Sequence, residues 1–148
     1  MRRLLLILTP FLAGSTCGTF GGEWIDTGSV HRSHEDVWTT CLSILRDKQG
    51  FQIEEQDRTA GRITTKWKTQ LAPIFREGTR VKTEIEILPV EGGGYNIRVR
   101  CPHEVNNNSK NPMSLNDADW VPAGGEDNLA MRIKTLLRMK LRGIGLED

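Results

Sequence analysis

Cys101, His103 and Glu104 are the nearest this chain comes to a nucleophilic set, a thiol with a base and an acid within four residues. Nucleophilic catalysis needs the base within hydrogen-bond reach of the nucleophile. On a strand, residues two apart share a face but hold their Cβ atoms about 7 Å apart. Cys101 also falls in the apolar phase of Tyr95, Ile97 and Val99, which assigns it to a core. The other histidines, His31 and His34, stand three residues apart where a helix begins. A zinc site would need these histidines to converge with further ligands, and nothing in their placement requires it. Gly92-Gly93-Gly94 precedes no helix and reads as a strand turn, not a phosphate cradle. The expectation is therefore no catalytic residues, no metal, no cofactor and no enzyme.

Two groups of residues offer binding instead. Lys66, Lys68, Arg80, Lys82, Arg98 and Arg100 fall in the outward phase of three strands, beside Glu54, Glu84 and Glu86. They either pair across strands or present a surface to an anionic partner. Trp120 lies in a polar, Asn-rich segment from Asn106 to Gly125, read as a loop, where an indole is a candidate anchor for a partner. Arg132, Lys134, Arg138, Lys140 and Arg142 decorate the last helix without an intervening acid. That face suits water or an anionic membrane, where each cation near the surface contributes about 1 kcal/mol. The net charge of +1 over 148 residues demands no nucleic acid.

The first residues speak of location. Arg2 and Arg3 precede an apolar run, Leu4 to Ala13, and then small residues. This is the order of a secretory signal, and the run is half of the ~20 residues that cross a bilayer as a helix. Residues 1–16 are read as the signal, and residues 17–30 as a tether with an edge strand near its end. Leu12-Ala13-Gly14 resembles the box before the lipidated cysteine of bacterial lipoproteins, with Ser15 and Thr16 interposed before Cys17. Lipidation at Cys17 and plain cleavage after Ser15 both stand. The location expected is the bacterial envelope, in the periplasm and anchored to the outer membrane through Cys17.

The elements that position these groups follow from periodicity. Ser33 is an N-cap, and Val37, Trp38, Cys41, Leu42, Ile44 and Leu45 recur at helical steps up to Gln49. Phe51 and Ile53 alternate, Asp57 to Gly61 make a turn, and Ile63, Thr65, Trp67 and Thr69 alternate onto an inward face. Val81, Thr83, Ile85 and Ile87, then Tyr95 to Cys101, make two further strands, with Pro102 as the stop. Leu129, Ile133, Leu136, Leu137 and Leu141 mark a helix from Glu126 to Arg142. The order β-α-β-β-β-β-α gives an α+β sandwich: a four-stranded antiparallel sheet with both helices on one face. One such domain fills residues 31–148. Cys41 on the helix face and Cys101 on the strand face are candidate disulfide partners, worth about 3–4 kcal/mol if joined. Alternatively each is a small apolar core residue.

The run Val37-Trp38, Phe51-x-Ile53, Asp57, Gly61-Arg62-Ile63-Thr64-Thr65 and Trp67 resembles the BamC-like domain of bacterial envelope lipoproteins. By element order the resemblance spans Ser33 to Leu141. It implies a helix-grip fold, in which a C-terminal helix packs across an antiparallel sheet. It also implies a non-enzymatic scaffold or interaction module in outer-membrane assembly or maintenance, with envelope proteins as partners. The alternative is a carrier that holds a small molecule or lipid between helix and sheet.

Overall fold

The computed structural model describes residues 21–71 and 77–143. Its elements are β1 (Ile25–Val30), α1 (His34–Ser43), β2 (Ile53–Asp57), β3 (Arg62–Thr65), β4 (Lys68–Gln70) and β5 (Thr79–Val81). There follow β6 (Glu84–Pro89), β7 (Tyr95–Arg100), β8 (Pro102–Asn106), β9 (Trp120–Gly125) and α2 (Asp127–Arg142). The fold is α+β and the sheets are antiparallel, but the five strands of the expected order become nine among the described residues. One sheet runs β1-β7-β6-β3-β2 and the other β4-β5-β8-β9. The signal region and Cys17 lie outside the described residues.

The count rises because three long strands bend and change sheet, and because β9 forms in the segment read as a loop. β3 continues as β4, β5 as β6, and β7 as β8, and the three stay neighbours in both sheets. Corners of this kind are made where bulges or bends redirect a strand. The corner is held by Thr65, Thr83 and Cys101, all buried. Thr65 N donates to Thr83 O at 3.0 Å, Thr83 N donates to Thr65 Oγ1 at 2.8 Å, and Thr83 Oγ1 meets Cys101 Sγ at 3.5 Å. Small β-branched side chains suit this row, since each hydroxyl finds a partner without water. Pro102, expected as the stop, instead opens β8 one residue after β7 ends, so the chain bends there and continues into the second sheet.

The corner is asymmetric. Between β6 and β7, Glu84 faces Arg100, and past the bend Val81 faces His103, three steps on each strand. Between β3 and β6, Thr64 faces Glu84, but beyond the bend Lys68 faces Val81. That is four steps against three, so one additional residue sits on the β3–β4 side. A single inserted residue reverses the faces of everything after it.

α1 and α2 cover the face of the five-stranded sheet that carries Ile63, Ile85, Ile87, Ile97 and Val99. Val37, Trp38 and Cys41 come from α1, and Ala130, Ile133, Leu137 and Leu141 from α2. Ser33 Oγ caps α1 by accepting from Asp36 N at 3.0 Å. The helix foreseen to Gln49 changes pitch at Ile44–Lys48, a single π-type turn in which the adjacent Ile44 and Leu45 are both buried. α2 closes on Gly143 in the left-handed conformation, whose N–H donates to Met139 O. Both ends match the sequence pattern.

Candidate functional site

The face of the sheets turned away from the helices carries the charged residues and three of the four tryptophans. Along it, outward positions alternate with the core positions just named. Arg80 is the centre of the second sheet's half. Its guanidinium lies 4.5 Å from the Trp67 ring centre and 4.7 Å from that of Trp120, one indole from just before β4 and the other from β9, beyond β8. Its Nε donates to Glu104 Oε2 at 2.7 Å. A planar cation stacks on indole faces and still forks onto a carboxylate, which lysine cannot do. Lys82 lies 5.3 Å from the Trp67 ring and pairs with Glu84 at 2.9 Å.

Across the corner the same design repeats. Arg98 and Arg100 lie 5.0 and 4.5 Å from the Trp24 ring. Arg100 Nε donates to Glu84 Oε2 at 2.6 Å, and Glu86 lies within 4.0 Å of Arg62 and Arg98. Burial alone would raise the Glu84 carboxyl, but hydrogen bonds and charges from Lys82 and Arg100 outweigh it and hold the group below its ordinary value. A shallow depression of about 500 Å³ opens here, bounded by Trp24, Arg62, Lys82, Glu84 and Arg100 on the sheet and by Glu54, Glu55 and Asp57 on β2.

Four of the six basic residues expected on this face are on it: Arg80, Lys82, Arg98 and Arg100. Lys66 and Lys68 are not part of the set: the additional residue at the corner reverses the phase of Lys68, and Lys66 lies within the corner itself. Lys68 Nζ instead donates to Gln49 O at 3.1 Å and lies 5.5 Å from the Phe51 ring. Lys66 borders a small hollow with Gly50, Phe51 and Gln52. The same reversal corrects Trp67, expected under the helices and found stacked on Arg80 and Lys82. Trp120 is on a strand rather than in a loop. Trp24 and Glu104 were missed as members of this surface. Trp24 precedes the first alternating residues, and Glu104 reads from sequence only as a neighbour of His103.

Beside Trp120, the connection between β8 and β9 is held in shape by side-chain amides. Buried Asn106 accepts from Asn108 N and Asp119 N, both at 3.0 Å, through Oδ1. Asn108 Nδ2 donates to Asp117 O at 2.7 Å, and Asn111 Nδ2 to Asp117 Oδ2 at 3.0 Å. Asparagine provides both donor and acceptor to such turns. The ordered connection carries Met113 and Leu115 outward, 58% and 57% exposed.

Among the described residues, the thiols and imidazoles do not assemble into a reactive site. Cys41 and Cys101 are free and buried, so the unpaired alternative is the one adopted. Burial pushes both thiols up to about 12, against the depressed values of reactive cysteines. Glu104, the acid of the notional set, is committed to Arg80. His34 stacks on Trp38 at 6.0 Å and meets Tyr95 edge-on at 5.4 Å. Among the described residues no three His, Cys, Asp or Glu side chains group as metal ligands. Between the helices and the five-stranded sheet, Ile63, Ile85, Ile97 and Val99 are at most 1% exposed, which leaves no water-sized gap for cargo there. A cleft of about 440 Å³ opens at one end, where Phe51, Lys68 and Val81 face Leu129 and Arg132.

No family model matches the chain, and no curated protein matches it.

Proposed function

We propose that this chain is a non-enzymatic protein of the bacterial envelope, exported by its first sixteen residues and held to the outer membrane by a lipid on Cys17. Its BamC-like, helix-grip domain serves as an interaction module for another envelope protein. One observation carries the reading: an outward-facing surface built from stacked tryptophan and arginine, continued by a hydrogen-bonded connection that leaves Met113 and Leu115 exposed. Tryptophan and arginine dominate the energetically decisive positions of protein interfaces. Met113 and Leu115, both more than half exposed, add apolar area for such a partner to cover. The thiols, pushed up by burial, support the non-enzymatic part.

The test is site-specific photo-crosslinking of the full chain in its native host, from positions 113, 115 and 120. A discrete adduct from these positions, absent from position 91 on the β6–β7 turn, is expected. Equal or no crosslinking from all four positions refutes the interaction surface. Mass spectrometry of the mature N-terminus tests the anchor separately, with a lipid-modified Cys17 as the expected product.

A further inference from the structure

α2 presents a second surface, opposite in character and on the other side of the molecule. Its inward face, Ala130, Ile133, Leu137 and Leu141, is buried in the core. At 100° per residue the opposite face holds Met131, Arg132, Thr135, Arg138, Met139 and Arg142. Five of these six border one open groove of about 320 Å³, and Arg132 stands at the edge of the face, where it also borders the cleft with Phe51, Lys68 and Val81. Met131 is 49% exposed although it is apolar. Arg32 adds a cation at the helix end, where its Nε donates to Leu141 O at 2.9 Å. None of the ion pairs among the described residues uses Arg132, Arg138 or Arg142. On the other face of the molecule, by contrast, Arg80, Arg98 and Arg100 all find a carboxylate.

We infer that this face of α2 docks on an anionic lipid surface. The complementarity is of charge and of polarity together. Three arginines along about 15 Å of helix match phosphate headgroups, and two methionines set among them match the boundary between headgroup and acyl chain. A nucleic acid would use the arginines but leave the methionines uncovered. The core-facing residues are already occupied, so the helix lies against the membrane without leaving the domain. The inference stands on α2 and does not depend on Cys17.

Vesicle co-sedimentation of the full chain tests it, with phosphatidylglycerol-containing vesicles against pure phosphatidylcholine. Tighter binding to the anionic vesicles, weakened by salt, is expected. Each surface cation contributes about fivefold in partitioning. Arg132→Gln, Arg138→Gln and Arg142→Gln together therefore cost on the order of a hundredfold, with the circular dichroism of the fold retained. If the triple variant does not fold, the three single variants decide, each losing about fivefold. Met131→Ser with Met139→Ser weakens binding to anionic vesicles without changing its salt dependence. Equal binding to both vesicle types overturns the inference, as does wild-type binding by the arginine variants. Duplex DNA bound as tightly as the anionic vesicles at the same salt overturns the choice of lipid.

Discussion

Replacing Arg80 with alanine removes the centre of the outer surface, and the cost can be worked from its contacts. The side chain is 25% exposed and its partner Glu104 18%, so both are largely out of bulk water. Two indole contacts at 4.5 and 4.7 Å contribute about 1 kcal/mol each in a partly desolvated setting. The forked bond to Glu104 contributes about 1.5–3 kcal/mol, since an unpaired carboxylate remains when it goes. These terms overlap, which brings Arg80→Ala to about 2–4 kcal/mol. Urea unfolding followed by tryptophan fluorescence measures this directly as a fall in midpoint at constant slope. Arg80→Lys keeps a charge but loses the stacked plane and should recover only part of the loss. In the Arg80→Ala background, Glu104→Gln should return about 1 kcal/mol by removing the stranded charge. A loss below about 0.5 kcal/mol for Arg80→Ala, the range of ordinary surface changes, would refute the claim that this stack organises the surface.

Three further outcomes follow from the same geometry. Gly61 has φ +67°, and an added Cβ there would collide with the Ile87 carbonyl, whose own N–H donates to Gly61 O at 2.8 Å. Gly61→Ala should cost at least about 2 kcal/mol, whereas Gly92→Ala, with φ +86° and open space around it, should cost only the ~1–2 kcal/mol of left-handed backbone; equal losses in urea unfolding would contradict the packing. Thiol titration of the full chain without reductant should find two additional cysteines on unfolding, since Cys41 and Cys101 are free, buried and pushed up to about 12; because the folded values exceed the ordinary 9.0, their contribution to stability is lost as pH rises above about 9. Glu84 has the opposite sign: its folded value is lowered, so its contribution is present above the ordinary carboxylate range and lost as pH falls through the folded value. Glu84→Gln should therefore flatten the acid limb of the stability profile, and an unchanged acid limb would remove Glu84 from that account.

Much of the fold was legible because local signals agreed with one another. The Ser33 cap, the helical spacing from Val37 to Leu45, the Asp57 to Gly61 turn, the triple-glycine turn and the α2 stripe all sit where their chemistry put them. The corner was not legible. Nothing in Thr65-Lys66-Trp67 marks an inserted residue, because a bulge is settled by the register against β5 and β6, which is non-local. Misreading that one position moved Trp67 to the wrong layer and put Lys66 and Lys68 in the wrong group. β9 was hidden for a related reason: Pro122, Gly124 and Gly125 depress strand propensity, and only pairing with β8 makes the segment extended. Of the outer surface, the basic residues in phase with β6 and β7 were readable by alternation. Their indole partners were not, since Trp24 and Trp120 reach them from segments distant in sequence.

The odd residue at the corner also sets which layer each later side chain enters. Were the same residues to alternate evenly, the indole would turn among the aliphatic side chains and the lysine at 68 would stand beside Arg80. Deleting one residue between Thr65 and Lys68 instead leaves three steps against three, so the bulge goes and both faces are kept: the segment can be shortened by one without exchanging its layers.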